Sequence, residues 1–255
     1  SILWTVVRNP SQRDLSSYFF EEVGRKARQY SDDGLQMYLE EMKSFQFKFL
    51  FPEEKLMCIS SHNNNNTTKH HHNHQLPQYI QTIIDHFDYI AVADRMDESL
   101  VVLKLLLHLE MDDIVVLNSK ESGGYDDGKY ENICHKIPSK PNTLTRTIQD
   151  YFKTNYSINN ADLLLYAAAN RSLDKTIDSL GRKRVQEEVQ QFGFLQEFIT
   201  KQCEAEAIFP CSKNGISQRE ASKDNCYWND AGCGYPCVDR VLQQQYQGGK
   251  VQTNL

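Results

Sequence analysis

The sequence predicts an α/β protein: a parallel sheet flanked by helices, followed by a cysteine-rich C-terminal tail. Three observations predict it. The apolar, β-rich run from Ile2 to Val7 leads straight into a helical stretch. A second run, Phe87 to Ala93, is followed by a segment apolar on nearly all sides, Ser99 to Met111, and then by a third run, Ile114 to Leu117. Short apolar runs separated by helices are the pattern of strands covered on both faces of a parallel sheet. Finally, five of the seven cysteines lie between Cys203 and Cys237 in turn-rich sequence. A chain of 255 residues can bury one large α/β core. The expected division is an α/β domain over 1–200 and a tail over 201–255 packed on it.

The first strand stops at Arg8-Asn9-Pro10. Pro10 cannot donate to a ladder and pushes Asn9 away from helical angles. Ser11 is the expected N-cap of a helix running to about Gln29, with Leu15, Tyr18, Phe19 and Val23 on one side. Arg8 then sits where a strand ends, and Ser16 lies about one and a half turns into the helix. Helix N-termini favour negative charge through free N–H groups and the dipole. A guanidinium adds a bidentate fork for phosphate, and a hydroxyl adds a further donor. Arg8 and Ser16 are therefore candidate anion ligands. Arg13, Arg25, Lys26 and Arg28 add positive charge along the same helix, although Arg25 to Arg28 read as a solvated face.

Asp32-Asp33-Gly34 breaks the chain before a short helix from Leu35 to about Lys43. Phe45 to Phe51 alternates aromatic with polar residues and reads as an edge strand or an extended loop. The segment 62–74, HNNNNTTKHHHNH, reads as a flexible polar loop; its five histidines are contiguous and lack a nearby carboxylate, so no metal site is assigned. Pro77 to His86 is helical. Phe87 to Ala93 is the second strand, Asp97 caps the following helix with Glu98 in its first turn, and Asp112-Asp113 turns the chain into the third strand. This is a strand–helix–strand unit. Ser122 to Lys140 is a loop of the kind that forms lids or substrate walls. Thr143 to Tyr156 and Asn160 to about Phe198 are helical, the second punctuated by Arg182-Lys183-Arg184 and Gly193.

Composition excludes some functions. A net charge of −6 does not invite nucleic acid. No apolar run reaches the length of a membrane span. No C-x-x-C pair argues for a zinc ribbon or a thioredoxin-type site. Clustered cysteines suit a disulfide-stapled segment in an oxidising compartment. The sequons at Asn65, Asn66, Asn155 and Asn170 agree with a secretory-pathway lumen. The sequence opens on a strand without an initiating Met and reads as a fragment or a processed chain, any anchor or targeting segment lying upstream.

Arg8-Asn9-Pro10, followed by Arg13, Ser16 and Tyr18, resembles the 3′-phosphate-binding motif of sulfotransferases that use 3′-phosphoadenylyl sulfate (PAPS). In that family an Arg and a Ser eight residues later hold the donor's 3′-phosphate, the spacing of Arg8 and Ser16. Asp97-Glu98-Ser99-Leu100-Val101, Leu103, Leu106, Asp112-Asp113 and Leu117-Asn118 resemble the galactose-3-O-sulfotransferase (cerebroside sulfotransferase-like) branch. Asp162-Leu163, Tyr166 and Asn170-Arg171-Ser172-Leu173 are similar to its late helix, so the likeness runs from Ser1 to about Leu180.

This resemblance implies a P-loop-like sulfotransferase fold, PAPS as donor without a metal, and a carbohydrate or glycolipid acceptor. It also implies sulfuryl transfer to a sugar hydroxyl, the galactose 3-OH, in the Golgi or another secretory-pathway lumen. Membrane contact would come only through an upstream anchor. The family's Lys-containing phosphate loop and its base precede the 3′-phosphate motif. No G-x-x-x-x-G-K-[ST] or equivalent occurs in this sequence, so the first strand and loop are expected to be missing and no catalytic residue is assigned. The alternative is a non-catalytic lumenal binding or structural subunit that keeps the fold without the loop. An unrelated nucleotide kinase ranks last, because it needs the same loop.

Overall fold

The computed structural model describes residues 2–26, 28–51, 71–117, 124–126, 134–136, 144–158, 160–206, 216 and 234–247. Its centre is a parallel pair of strands, β1 (Trp4–Val7) and β2 (Tyr89–Val92), in register from Trp4 opposite Tyr89 to Val7 opposite Val92. Asp88 opens the pair. Its carboxylate accepts from the Leu3 N–H at 2.8 Å, and its own N–H donates to the Leu3 carbonyl at 2.8 Å. All four β2 residues are buried, whereas Trp4 and Val6 of β1 remain exposed. The expected parallel α/β arrangement is present, with a sheet of two parallel strands among the described residues.

Between the strands run α1 (Pro10–Tyr18), α2 (Asp32–Met42), α3 (Phe45–Leu50) and α4 (His71–His86). A π-helical stretch, Phe19–Arg25, continues α1, so the regular helix expected to Gln29 ends at Tyr18. The N-cap of α1 is Asn9, not Ser11: the Asn9 carboxamide oxygen accepts from the N–H groups of Ser11 and Gln12, which leaves Pro10 at the first helical position. Ser31 caps α2 by accepting from the Gly34 N–H at 3.1 Å. The stretch from Phe45, expected as a strand or loop, is helical from Phe45 to Leu50. Asp162 accepts from the Gln46 and Phe47 N–H groups at 3.0 and 2.6 Å and so satisfies the start of that helix.

After β2, a 3₁₀ turn (Ala93–Arg95) leads into α5 (Met96–Leu107). Arg95 rather than Asp97 holds the N-cap position; Asp97 and Glu98 fall in the first turn. The third strand expected at Ile114 to Leu117 is not formed. Met111–Ile114 is a 3₁₀ turn, and the Val116 N–H and carbonyl are both taken by the Gln196 carboxamide instead of a strand partner. Within the loop 122–140, β3 (Gly124–Asp126) and β4 (Cys134–Lys136) pair antiparallel; its other residues lie outside the described ones.

The C-terminal half contains α6 (Arg146–Lys153), α7 (Ala161–Leu180), α8 (Arg182–Cys203) and α9 (Tyr235–Gln247). The single helix expected from Asn160 to Phe198 is divided at Gly181, whose φ of +92° suits glycine. One buried cluster joins β2 and α5 to Leu165, Ala169, Leu173 and Ile177 of α7 and to Val185, Phe192 and Ile199 of α8. A second joins Leu15 and Tyr18 of α1 to Leu35 and Leu39 of α2 and to Ile148, Tyr151 and Tyr156. A Cys203–Cys237 disulfide ties the end of α8 to α9, whose Cys237 and Val238 enter the first cluster. The tail is thus stapled at one disulfide among the described residues; Cys211, Cys226 and Cys233 lie outside them, as does most of the histidine-rich segment.

Candidate functional site: a strand-exit anion site

Because β1 and β2 are parallel, both finish at one edge, and ligands of open α/β sheets bind outside the carboxyl ends of strands. Arg8 and Asn9 leave β1 there, and Asp94 and Arg95 leave β2. Asp94 joins the two exits by accepting from the Asn9 N–H at 2.8 Å. Tyr166 on α7 faces Asp94 and Asn9; burial pushes its hydroxyl pKa up, the Asp94 carboxylate adding to the effect.

Arg8 is exposed, and its guanidinium makes no ion pair or hydrogen bond among the described residues. Its backbone is held instead. The Gln46 carboxamide oxygen accepts from the Arg8 N–H at 3.0 Å, and the Gln46 amide donates to the Arg8 carbonyl at 3.0 Å. Ser16 lies seven residues beyond the Asn9 cap, two turns along α1, so it returns to the cap's side about 10 Å up the axis. It is half-buried, and its hydroxyl has no partner among the described residues. Its neighbour Ser17, by contrast, shares a 2.7 Å hydrogen bond with Tyr38.

The other basic residues of the first helix are spent. Arg13 donates to Asp14 at 2.7 Å through Nε and to Asp162 at 2.9 Å through Nη1. Lys26 and Arg28 each reach Glu22 at 2.6 Å. The Arg25 side chain lies outside the described ones. Among the described cations of this patch, Arg8 alone lacks a carboxylate partner. The expectation that free N–H groups at the start of α1 would add to the anion site is corrected. Asn9 occupies those of Ser11 and Gln12 through its side chain and that of Arg13 through its carbonyl, at 3.0 Å.

Beneath the exits lies a buried polar knot. Asp14 and Asp162 are fully buried. Tyr156 donates to Asp14 at 2.7 Å, and Asp162 caps α3 while receiving Arg13. Burial pushes the Asp14 carboxyl up to about 6 against the pull of Arg13 and Tyr156. Sequence reasoning placed Arg13 with the anion motif, but its guanidinium is an internal tie. Reasoning missed Gln46, because the period-2 aromatic pattern around it concealed a helix.

Among the described residues, no group of three or more His, Cys, Asp or Glu is arranged to hold a metal ion. Nor is any helix among them long and apolar enough to cross a membrane. Of the sequons, Asn155 is exposed in a turn, and Asn170 is half-buried inside α7 with its amide donating to the Tyr166 carbonyl at 3.0 Å. Asn65 and Asn66 lie outside the described residues.

Fold and strand exit together define an α/β protein with a cationic group presented at the carboxyl ends of parallel strands. The galactose-3-O-sulfotransferase family model matches residues 1–210, and the chain belongs to that family. It is 30% identical over 117 residues to human galactose-3-O-sulfotransferase 4, a match covering 46% of this chain and 23% of that protein. The Bos taurus galactose-3-O-sulfotransferase 4 is 30% identical over 119 residues, with the same two shares. No solved structure matches the chain.

Proposed function

We propose that the protein transfers a sulfuryl group from PAPS to a sugar hydroxyl of a glycan or glycolipid, the galactose 3-OH, within the Golgi lumen. Membership of the family supports the reaction, and the names of the two relatives support galactose and its 3-position. The cysteine staple supports an oxidising lumen. Residues 1–200 would form the transferase domain and 201–255 a tail on it.

One observation carries the donor assignment. At the strand exit Arg8 keeps an exposed guanidinium without a partner among the described residues, while Arg13, Lys26 and Arg28 are all neutralised. Arg8 and Ser16 together offer a charged fork and a hydroxyl to the donor's 3′-phosphate. Bound there, PAPS would supply the activated sulfuryl group; Arg8 and Ser16 would fix the nucleotide's register and take no part in bond making. The buried pair Arg13–Asp162 would keep α1 and α3 fixed around that phosphate.

Transfer of labelled sulfate from PAPS to a galactose-terminated acceptor tests this reading. Labelling is expected when the chain is joined to the Lys-containing phosphate loop that this sequence does not carry. Arg8→Ala should raise KM for PAPS roughly 10- to 100-fold, the usual value of a lost charge-assisted contact. Labelling that survives in Arg8→Ala at unchanged KM would remove Arg8 from the donor site.

A further inference from the structure

At three places among the described residues, one side chain serves both backbone polar groups of a single residue. Ser99 accepts from the Val92 N–H at 2.9 Å and donates to the Val92 carbonyl at 3.1 Å. Gln196 accepts from the Val116 N–H at 3.2 Å and donates to the Val116 carbonyl. Gln46 does the same for Arg8, at 3.0 Å in both directions. A carboxamide used this way imitates the edge of an adjacent strand, because it presents one acceptor and one donor side by side.

The clamp at Arg8 differs from the other two in what it holds. Val92 and Val116 carry apolar side chains, whereas Arg8 carries a guanidinium that is unpaired among the described residues. Gln46 itself is held at its backbone. Its N–H donates to the buried Asp162 at 3.0 Å, and Asp162 also receives Arg13 from α1, the helix that carries Ser16. Asp162 therefore links the support of Arg8 to the helix of Ser16 through one buried carboxylate.

We infer that Gln46 is a positioning residue for anion recognition: it fixes the backbone from which the Arg8 guanidinium reaches the nucleotide's 3′-phosphate. Gln46 touches no ligand and acts through Arg8. The inference rests on the reading of Arg8 as the 3′-phosphate ligand. Two fixed bonds at the root of a long side chain reduce the conformational freedom that phosphate binding must remove. Without them Arg8 keeps its charge and loses its aim.

The test compares adenosine 3′,5′-bisphosphate with adenosine 5′-monophosphate, which lacks the 3′-phosphate, by calorimetric titration of the full chain. The variants are Arg8→Ala, Gln46→Met, Gln46→Glu and Gln196→Met. Met keeps the length of Gln and removes both bonds; Gln46→Glu keeps an acceptor for the Arg8 N–H and sets an oxygen against the Arg8 carbonyl. Gln196→Met breaks an identical clamp at Val116 and controls for a purely structural loss.

Gln46→Met and Gln46→Glu are expected to weaken the bisphosphate roughly five- to tenfold, the value of one to two ordinary hydrogen bonds, and to leave the monophosphate unchanged. Gln196→Met should change neither. If Arg8→Ala selectively weakens the bisphosphate while both Gln46 variants bind the two nucleotides as wild type does, or lose both equally, the role of Gln46 is refuted and that of Arg8 stands. The inference is likewise refuted if Gln196→Met reproduces the selective loss. If Arg8→Ala shows no selective loss, the assignment of Arg8 falls, and Gln46 falls with it.

Discussion

Asp14 shows how one buried carboxylate links this fold to pH. It is fully buried, receives Arg13 and Tyr156, and has Asp162 as its acidic neighbour across the knot. Burial lifts its pKa to about 6, above the ordinary aspartate value of about 3.9. The folded chain therefore keeps a proton that the unfolded chain has already released. The Asp14 contribution to stability is complete below about pH 4, declines as pH rises toward 6, and is flat above that. Urea denaturation at steps from pH 4 to 7 should show this decline in the wild type and a flatter profile in Asp14→Asn. A profile that rises through that window because of Asp14 would contradict the assignment. The placement of Arg8 at a strand exit and of Ser16 on the helix that follows was legible at this scale because both belong to one local strand–helix turn. The partner of Arg13 was not, because Asp162 lies 149 residues away in the sequence.

Among the elements, α3 is the most informative. Phe45, Phe47, Phe49 and Phe51 alternate with period two, which reads as a strand. The same spacing also places residues i and i+4 together on a helix. Phe45 and Phe49 stack at 6.3 Å on the exposed side, while Phe47 and Phe51 meet at 5.5 Å against the core. Asp162, distant in sequence, decides for the helix by satisfying its first N–H groups. Replacing Asp162 with Ala would remove one of the two carboxylates that hold Arg13 and would uncap α3, and should destabilise by about 2–4 kcal/mol in thermal or chemical unfolding; an unchanged midpoint would contradict that role. The break between α7 and α8 was missed for a simpler reason. Gly181 and Gly193 are both plausible breakers by type, but only Gly181 takes a positive φ, and Gly193 lies inside α8. Gly181→Ala should therefore cost about 1–3 kcal/mol, while Gly193→Ala should be neutral or slightly stabilising. Equal effects on the melting temperature would show that the chain direction does not depend on that φ.

Across the whole molecule, the parallel pair, its flanking helices and the stapled tail were predicted from run length, breakers and cysteine clustering. The third strand was predicted and is absent, because Gln196 claims the Val116 backbone groups that a ladder would need. The Cys203–Cys237 bond closes a span of 34 residues and should contribute about 3–4 kcal/mol by restricting the unfolded chain. Reduction, or the paired change Cys203→Ser with Cys237→Ser, should lower the melting temperature; an unaltered temperature would show that packing of Val238 and its neighbours suffices. The central claim, that the exit of β1 receives a nucleotide's 3′-phosphate, is tested most directly by the thermal shift of the whole protein with saturating adenosine 3′,5′-bisphosphate. The wild type should melt at a higher temperature with the nucleotide, and Arg8→Ala should lose most of that gain. A shift of the same size in both proteins would contradict it.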